Sequence, residues 1–281
     1  MSNTSSIMNH QTEIQSGQRF SFGENWARFL EVLDDRRIDE AVHSLKKMLD
    51  VESLCGKSFL DIGSGSGLFS LAAKKLGATV VSFDYDPQSV GCTTELKRRY
   101  FDRDNSWQVE TGSVLDQDYM NQLGQFDIVY SWGVLHHTGD MWAGLEHVAA
   151  RVAPKGKLFI ALYNDQGWAS KLWWYIKKAY VWLPAPLRWI VLIPCYVRLW
   201  GPRTVVDLLR LRPFETWRGY KKNRGMSPRR DVVDWVGGFP FEVSKPEQIF
   251  DFYRGKNYEL IKLVTCGGKL GCNEYVFRKR D

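Results

Sequence analysis

Glycines at 63, 65 and 67 lie between two short apolar runs in the stretch FLDIGSGSGLFSLAAKKLGATVVSFDYD, Phe59 to Asp86. Each run meets an acid: Asp61 just before the glycines, and Asp84 seventeen residues after the last of them. Glycine permits a sharp turn and close approach of a ligand to the backbone. A helix that opens just after such a turn offers unpaired N–H groups to an anion. A carboxylate at the position of Asp84 can accept two hydrogen bonds from the hydroxyls of a ribose. These residue types call for a ligand with a ribose and an anionic group near the glycines. A dinucleotide loop reads G-x-G-x-x-G, whereas the spacing here is G-x-G-x-G with Asp61 in front of it.

A second constellation follows the apolar run FDIVYSW, where His136 and His137 are adjacent. A histidine titrating near neutrality can take a proton from an activated hydroxyl; the alternative is a packed or loop-bonded pair. Tyr163, Asn164 and Asp165 end another apolar run and either bind a polar acceptor or form a plain turn. The five cysteines, at 55, 92, 195, 266 and 272, form no CxxC pair and share no zinc spacing with histidine. No metal is therefore expected, and the scattered thiols suit a reducing cytoplasm, the expected location. The first twenty residues are polar, carry no signal peptide and read as a mobile arm up to about Phe20.

These residues must be held by regular elements. Apolar spacing predicts helix over 24–54, and KSFLDIG a buried strand. A helix over 68–76 stops at Gly77, TVVSFD is a second strand, and Asp86 with Pro87 caps a helix to about Tyr100. SWQVETG and FDIVYSW are further strands, Asp140 opens a helix to about Val152, and APKGKLFIALYN is a turn and fifth strand. Strand–helix alternation of this kind predicts a doubly wound parallel sheet. In such a sheet ligands lie at the carboxyl ends of the strands, where both constellations fall. A short helix from Pro246 and a strand pair, YELIKLVTC and NEYVFRKR around GGKLG, close the chain.

Five stretches, in order, resemble the class I S-adenosylmethionine-dependent methyltransferases. LDIGSGSG resembles motif I of that family, SFDYDP its acidic second-strand loop and ETGSVLDQ its adenine loop. FDIVYSWGVLHHTGD resembles its fourth strand and following loop, and VAPKGKLFIAL its fifth-strand entry. The likeness covers about 55–163 and the final strand pair; the last third, from RGMSPRRDVVDW onward, resembles a bacterial quinone-methylase-like subgroup. The resemblance implies an α/β, Rossmann-like doubly wound sheet of seven strands, mostly parallel with an antiparallel last strand, and S-adenosyl-L-methionine as cofactor. It places Gly63, Gly65 and Gly67 along the methionine part of the cofactor. Asp61 then holds the ammonium through water, with help from the Ser131 carbonyl. Asp84 takes the ribose hydroxyls, Tyr85 flanks the adenine, and Ser113 and Val114 contact its edge. Phe20, Phe22 and Trp26 fall in a segment that covers the cofactor cleft in this fold. The reaction is displacement at a sulfonium methyl, so the protein aligns a nucleophile, excludes water and, for O–H or N–H acceptors, removes a proton. His136, slightly ahead of His137, is the candidate base; Tyr163, Asn164 and Trp168 are candidate acceptor contacts. No D/N-P-P-[YFW] sequence follows the fourth strand, which argues against amide or exocyclic-amine methylation.

Between the fifth strand and the closing elements, 164–245 is rich in Trp, Arg and Pro. The expected organisation is an N-terminal arm and helices (1–54), a cofactor-binding core (55–163), this helical insertion as lid or interface, and a closing unit (246–281). AYVWLPAPLRWIVLIPCYVRLW holds two uncharged runs split by Arg188 and broken by Pro184, Pro186 and Pro194, each too short to span a bilayer. Peripheral membrane contact and oligomerisation through the insertion stay open. The net charge of +6 permits an anionic partner without requiring one. The leading reading is methyl transfer to oxygen or carbon of a small acceptor, lipophilic, isoprenoid or quinone-like, or sugar-linked. The alternative is an RNA or protein methyltransferase that docks through the basic, aromatic insertion, and nucleic acid is the weaker of the partners.

Overall fold

The computed structural model describes residues 10–213, 215–217 and 228–281. Part of the polar arm (1–9) and part of the C-terminal likeness (224–227) lie outside the described residues. Seven strands form one sheet: β1 Ser58–Ile62, β2 Thr79–Asp84, β3 Trp107–Thr111, β4 Phe126–Trp132, β5 Val152–Tyr163, β6 Tyr258–Val264 and β7 Cys272–Lys279. Their order is β3-β2-β1-β4-β5-β7-β6, parallel except that β7 runs antiparallel to both neighbours. The order reverses between β1 and β4, so a crevice opens beyond their carboxyl ends.

Successive strand residues face opposite sides. Phe59 belongs to one core with Leu45, Leu71, Trp107 and Phe159, whereas Leu60 belongs to another with Val129, Leu145 and Phe277. The expected helix over 24–54 is two helices, Gly23–Glu31 and Asp35–Leu49, because Asp34 turns extended and its carboxylate caps the Arg37 N–H at 3.0 Å. Asp86, Asp116 and Asp140 cap later helices in the same way. The arm is not wholly irregular: residues 10–15 are helical and pack over the end of β2.

The insertion is helical, with Trp168–Trp182, Trp189–Leu209 and Pro228–Gly237 around a core that includes Trp173, Tyr180, Trp200, Val236 and Phe241. Pro184 and Pro186 mark the break between the first two of these helices, but Pro194 does not: the helix runs through it and Pro202. The excursion leaves and rejoins the sheet at one place, where Asn164 bridges Ser244. Among the described residues no helix is long and apolar enough to cross a membrane.

Candidate active site

The glycine loop hangs from the end of β2. Gly63 and Ser64 donate their N–H groups to the Phe83 carbonyl at 2.9 and 3.1 Å, and Gly67 donates to Ser64 at 2.8 Å. Gly63 has φ of 75°, a left-handed conformation, and a Cβ there would lie 2.4 Å from the Val134 side chain. A Cβ on Gly65 would come within 3.0 Å of the Trp26 ring. The loop is thus a cradle whose floor is bare backbone. Asp84 is pinned against it: one carboxylate oxygen accepts the Gly65 N–H and the other the Asp86 N–H, each at 2.9 Å.

Asp61 is buried behind the loop and accepts a bond of 2.5 Å from Ser70, which lies 2.7 Å from the Ser82 hydroxyl; Trp107 in turn donates to Ser82 at 2.8 Å. Burial raises the carboxyl of Asp61 to about 7, helped by the neighbouring charge of Asp84, and that of Asp84 to about 6. No described cation pairs with either acid. Two carboxyl groups with no described cation, beside a backbone cradle, fit a ligand with a ribose diol and an ammonium, which S-adenosylmethionine carries. Ser131, also buried, donates to the Ile62 carbonyl at 3.1 Å.

Tyr85 lies under the N-terminal segment. Its ring sits 4.9 Å from the Arg19 guanidinium and 5.1 Å from the His10 ring, and its hydroxyl donates to Glu13 at 3.2 Å. Arg19 reaches across to the fourth-strand loop, donating to the carbonyls of His137 (2.9 Å) and Thr138 (3.3 Å). Ser113 caps the Leu115 N–H at 3.2 Å, and the Val114 carbonyl meets His147 Nδ1 at 2.7 Å.

The two histidines form a single helical turn after β4 and differ in their bonds. His136 is fully buried, and its Nδ1 accepts the Tyr163 N–H at 3.2 Å. The proton is therefore on Nε2, which is buried without a partner among the described residues. His137 Nδ1 lies 2.7 Å from the Pro240 carbonyl and must donate to it, so its lone pair is on Nε2. Burial lowers both rings, His136 well below the usual range and His137 to about 3, with the charge of Lys177 adding to each.

Tyr163 belongs to this cluster, its ring 3.8 Å from His136 and 5.5 Å from Phe241. Asn164 instead serves the sheet end, accepting from Asn273 at 3.0 Å, and Trp168 stands 75% exposed on the outer surface. Two groups were given no place in the site by the sequence, although Lys177 counts among the basic residues of the insertion. Lys177, fully buried, donates to the Trp235 carbonyl and lies 4.3 and 4.7 Å from the rings of Trp235 and Phe241, with no described carboxylate in range. Desolvation lowers it to about 7. Glu242 accepts from Gly139 and Met141 (3.0–3.1 Å), while its own N–H donates to the His136 carbonyl at 3.0 Å. The only sequence sign of Lys177 was its place among apolar residues.

Comparison with known proteins identifies the family. A methyltransferase-domain family matches residues 27–190, more than half of the 281-residue chain. A ubiquinone biosynthesis O-methyltransferase from Rhodopseudomonas palustris is 30% identical over 139 residues, covering 48% of this chain and 51% of that protein. A ribosomal protein L11 methyltransferase from Xanthomonas campestris is 38% identical over 109 residues, covering 38% of this chain and 32% of the relative. The matches thus span about half, or less, of those curated relatives. The fold of a magnesium protoporphyrin IX methyltransferase from Synechocystis PCC 6803, solved with bound SAH, superposes with a TM-score of 0.51 at 14% identity, over 97% of this chain and 94% of that one. By the family match and the seven-stranded order of its sheet, the chain belongs to the class I S-adenosylmethionine-dependent methyltransferases.

Proposed function

We propose that the chain methylates an oxygen of a small, lipophilic acceptor with an acidic hydroxyl. The observation that carries this reading is the bonding of His137, whose Nδ1 is committed to the Pro240 carbonyl and whose Nε2 is left as proton acceptor. When bound, the cofactor supplies an electrophilic methyl group on a sulfonium. Gly63, Gly65, Asp61 and Asp84 would hold it, with Ser113 and Val114 at the adenine edge and Tyr85 beside it. His137 then takes the acceptor's proton through Nε2.

Burial keeps the ring neutral and so able to accept a proton, and a phenol or enol yields one more readily than an aliphatic alcohol. The Lys177 ammonium and the His136 Nε2–H would favour the resulting oxyanion in a low-dielectric setting. Tyr163, Phe241 and Trp235 supply aromatic walls around these groups. The name of the Rhodopseudomonas relative, a ubiquinone O-methyltransferase, supports the same acceptor class.

The test is His137→Gln against a panel of lipophilic phenols. Turnover falls by at least about a hundredfold if the ring is the base, while affinity for S-adenosylhomocysteine, read by calorimetry, is retained. Near-normal turnover in the variant overturns the base assignment. Methylation of RNA or of a protein, with no small phenol accepted, overturns the acceptor class.

A further inference from the structure

The helices Trp168–Trp182 and Trp189–Leu209 bury one side and leave the other bare. Trp168, Leu172, Tyr175 and Trp182 recur along the exposed face of the first, with Trp168 and Trp182 each 75% exposed. Trp189, Ile190, Ile193 and Val197 form the exposed face of the second, Trp189 at 57%. Soluble proteins rarely leave so much aromatic and aliphatic surface together.

The charge that the two helices carry as far as Val206 has one sign. From Gln166 to Val206 there is no Asp or Glu, while Lys171, Lys178, Arg188, Arg198 and Arg203 occur in that span. Lys171, Lys178, Arg198 and Arg203 are exposed. Tryptophan favours the boundary between water and hydrocarbon, and long basic side chains reach from there to anionic headgroups. No described helix can span a bilayer, so a surface of this kind lies on the membrane instead of crossing it.

We infer that this face is a docking surface for an anionic lipid bilayer. The inner side of the first of these helices carries Trp173 and Lys177, which meet Trp235 of the candidate acceptor cluster. Docking would therefore set that cluster one helix away from the lipid. The inference stands on the outer face alone and does not depend on which acceptor is methylated.

The test is co-sedimentation of the full chain with phosphatidylcholine vesicles, with and without about one third phosphatidylglycerol, in low and high salt. Binding is expected to need the anionic lipid and to weaken as salt rises. Trp182→Ser with Trp189→Ser, and separately Lys171→Glu with Arg198→Glu, should each weaken it at least tenfold with the melting temperature unchanged. Absence of binding to either vesicle, or equal binding by wild type and both folded variants, overturns the proposal. A stable dimer that loses its contact in the tryptophan variant also overturns it, because a second copy would then cover the face.

Discussion

The guanidinium of Arg19 donates to the main-chain carbonyl of His137 at 2.9 Å while resting 4.9 Å from the ring of Tyr85. One side chain of the N-terminal segment thus ties the end of β2 to the end of β4, across the crevice between them. Removing it in Arg19→Ala loosens residues 10–20. A hydrogen bond from a charged donor contributes about 1.5–3 kcal/mol, so affinity for S-adenosylhomocysteine should drop at least tenfold. Calorimetry together with amide exchange of the segment checks this. Unchanged affinity with full exchange protection would mean that Arg19 does not hold the cover.

Asp61→Asn separates binding from stability. The Asp61 carboxyl is raised above its unfolded value, so the folded chain holds a proton that the unfolded chain gives up between about pH 4 and 7. The contribution is full below pH 4 and lost as pH rises through 7. Cofactor-free Asp61→Asn should accordingly melt higher than wild type at pH 8 but not at pH 4.5, and bind S-adenosylmethionine more weakly at both. Equal melting curves at pH 8 would contradict the buried charge.

Lys177→Met carries the opposite sign of pH dependence. A lysine lowered to about 7 leaves the unfolded chain with more bound protons between pH 7 and 10, so wild-type stability gains from this group as pH rises across that window. The variant, apolar and of similar length, should lack that gain and be the more stable protein at pH 7, yet turn over its acceptor more slowly. Thermal melts at pH 7 and 9.5 with initial rates decide it.

Gly63→Ala should unfold more easily by roughly 2–4 kcal/mol, since it combines left-handed backbone with a steric clash. Val134→Ala in the same chain should recover part of the loss by removing the obstructing methyls and none of the backbone cost. Chemical denaturation of the single and double variants measures both parts.

The sheet was legible because each strand of the core is a short apolar run bounded by a cap or a glycine: Asp86 before Gln88 and Gly77 after Leu76 act through local bonds. Asp61, Asp84 and the glycines were legible because their spacing is itself the geometry. The break at Asp34 was missed because the apolar spacing continues across it. The helix through Pro194 was missed because packing of Cys195 and Trp200 overrides the lost N–H. Lys177 and Glu242 escaped because their partners, Trp235 and the turn at Gly139, lie far away in sequence. The difference between His136 and His137 depends on Tyr163 and Pro240, which no spacing rule connects.

Pro240 and Glu242 stand at the far end of the excursion that closes on the Asn164–Ser244 bridge, and they fix both histidines. Any rebuilding of the excursion therefore reshapes the backbone that orients the turn carrying both histidines. The glycine loop and Asp84, bonded to the end of β2 and to each other, draw none of these bonds from the excursion.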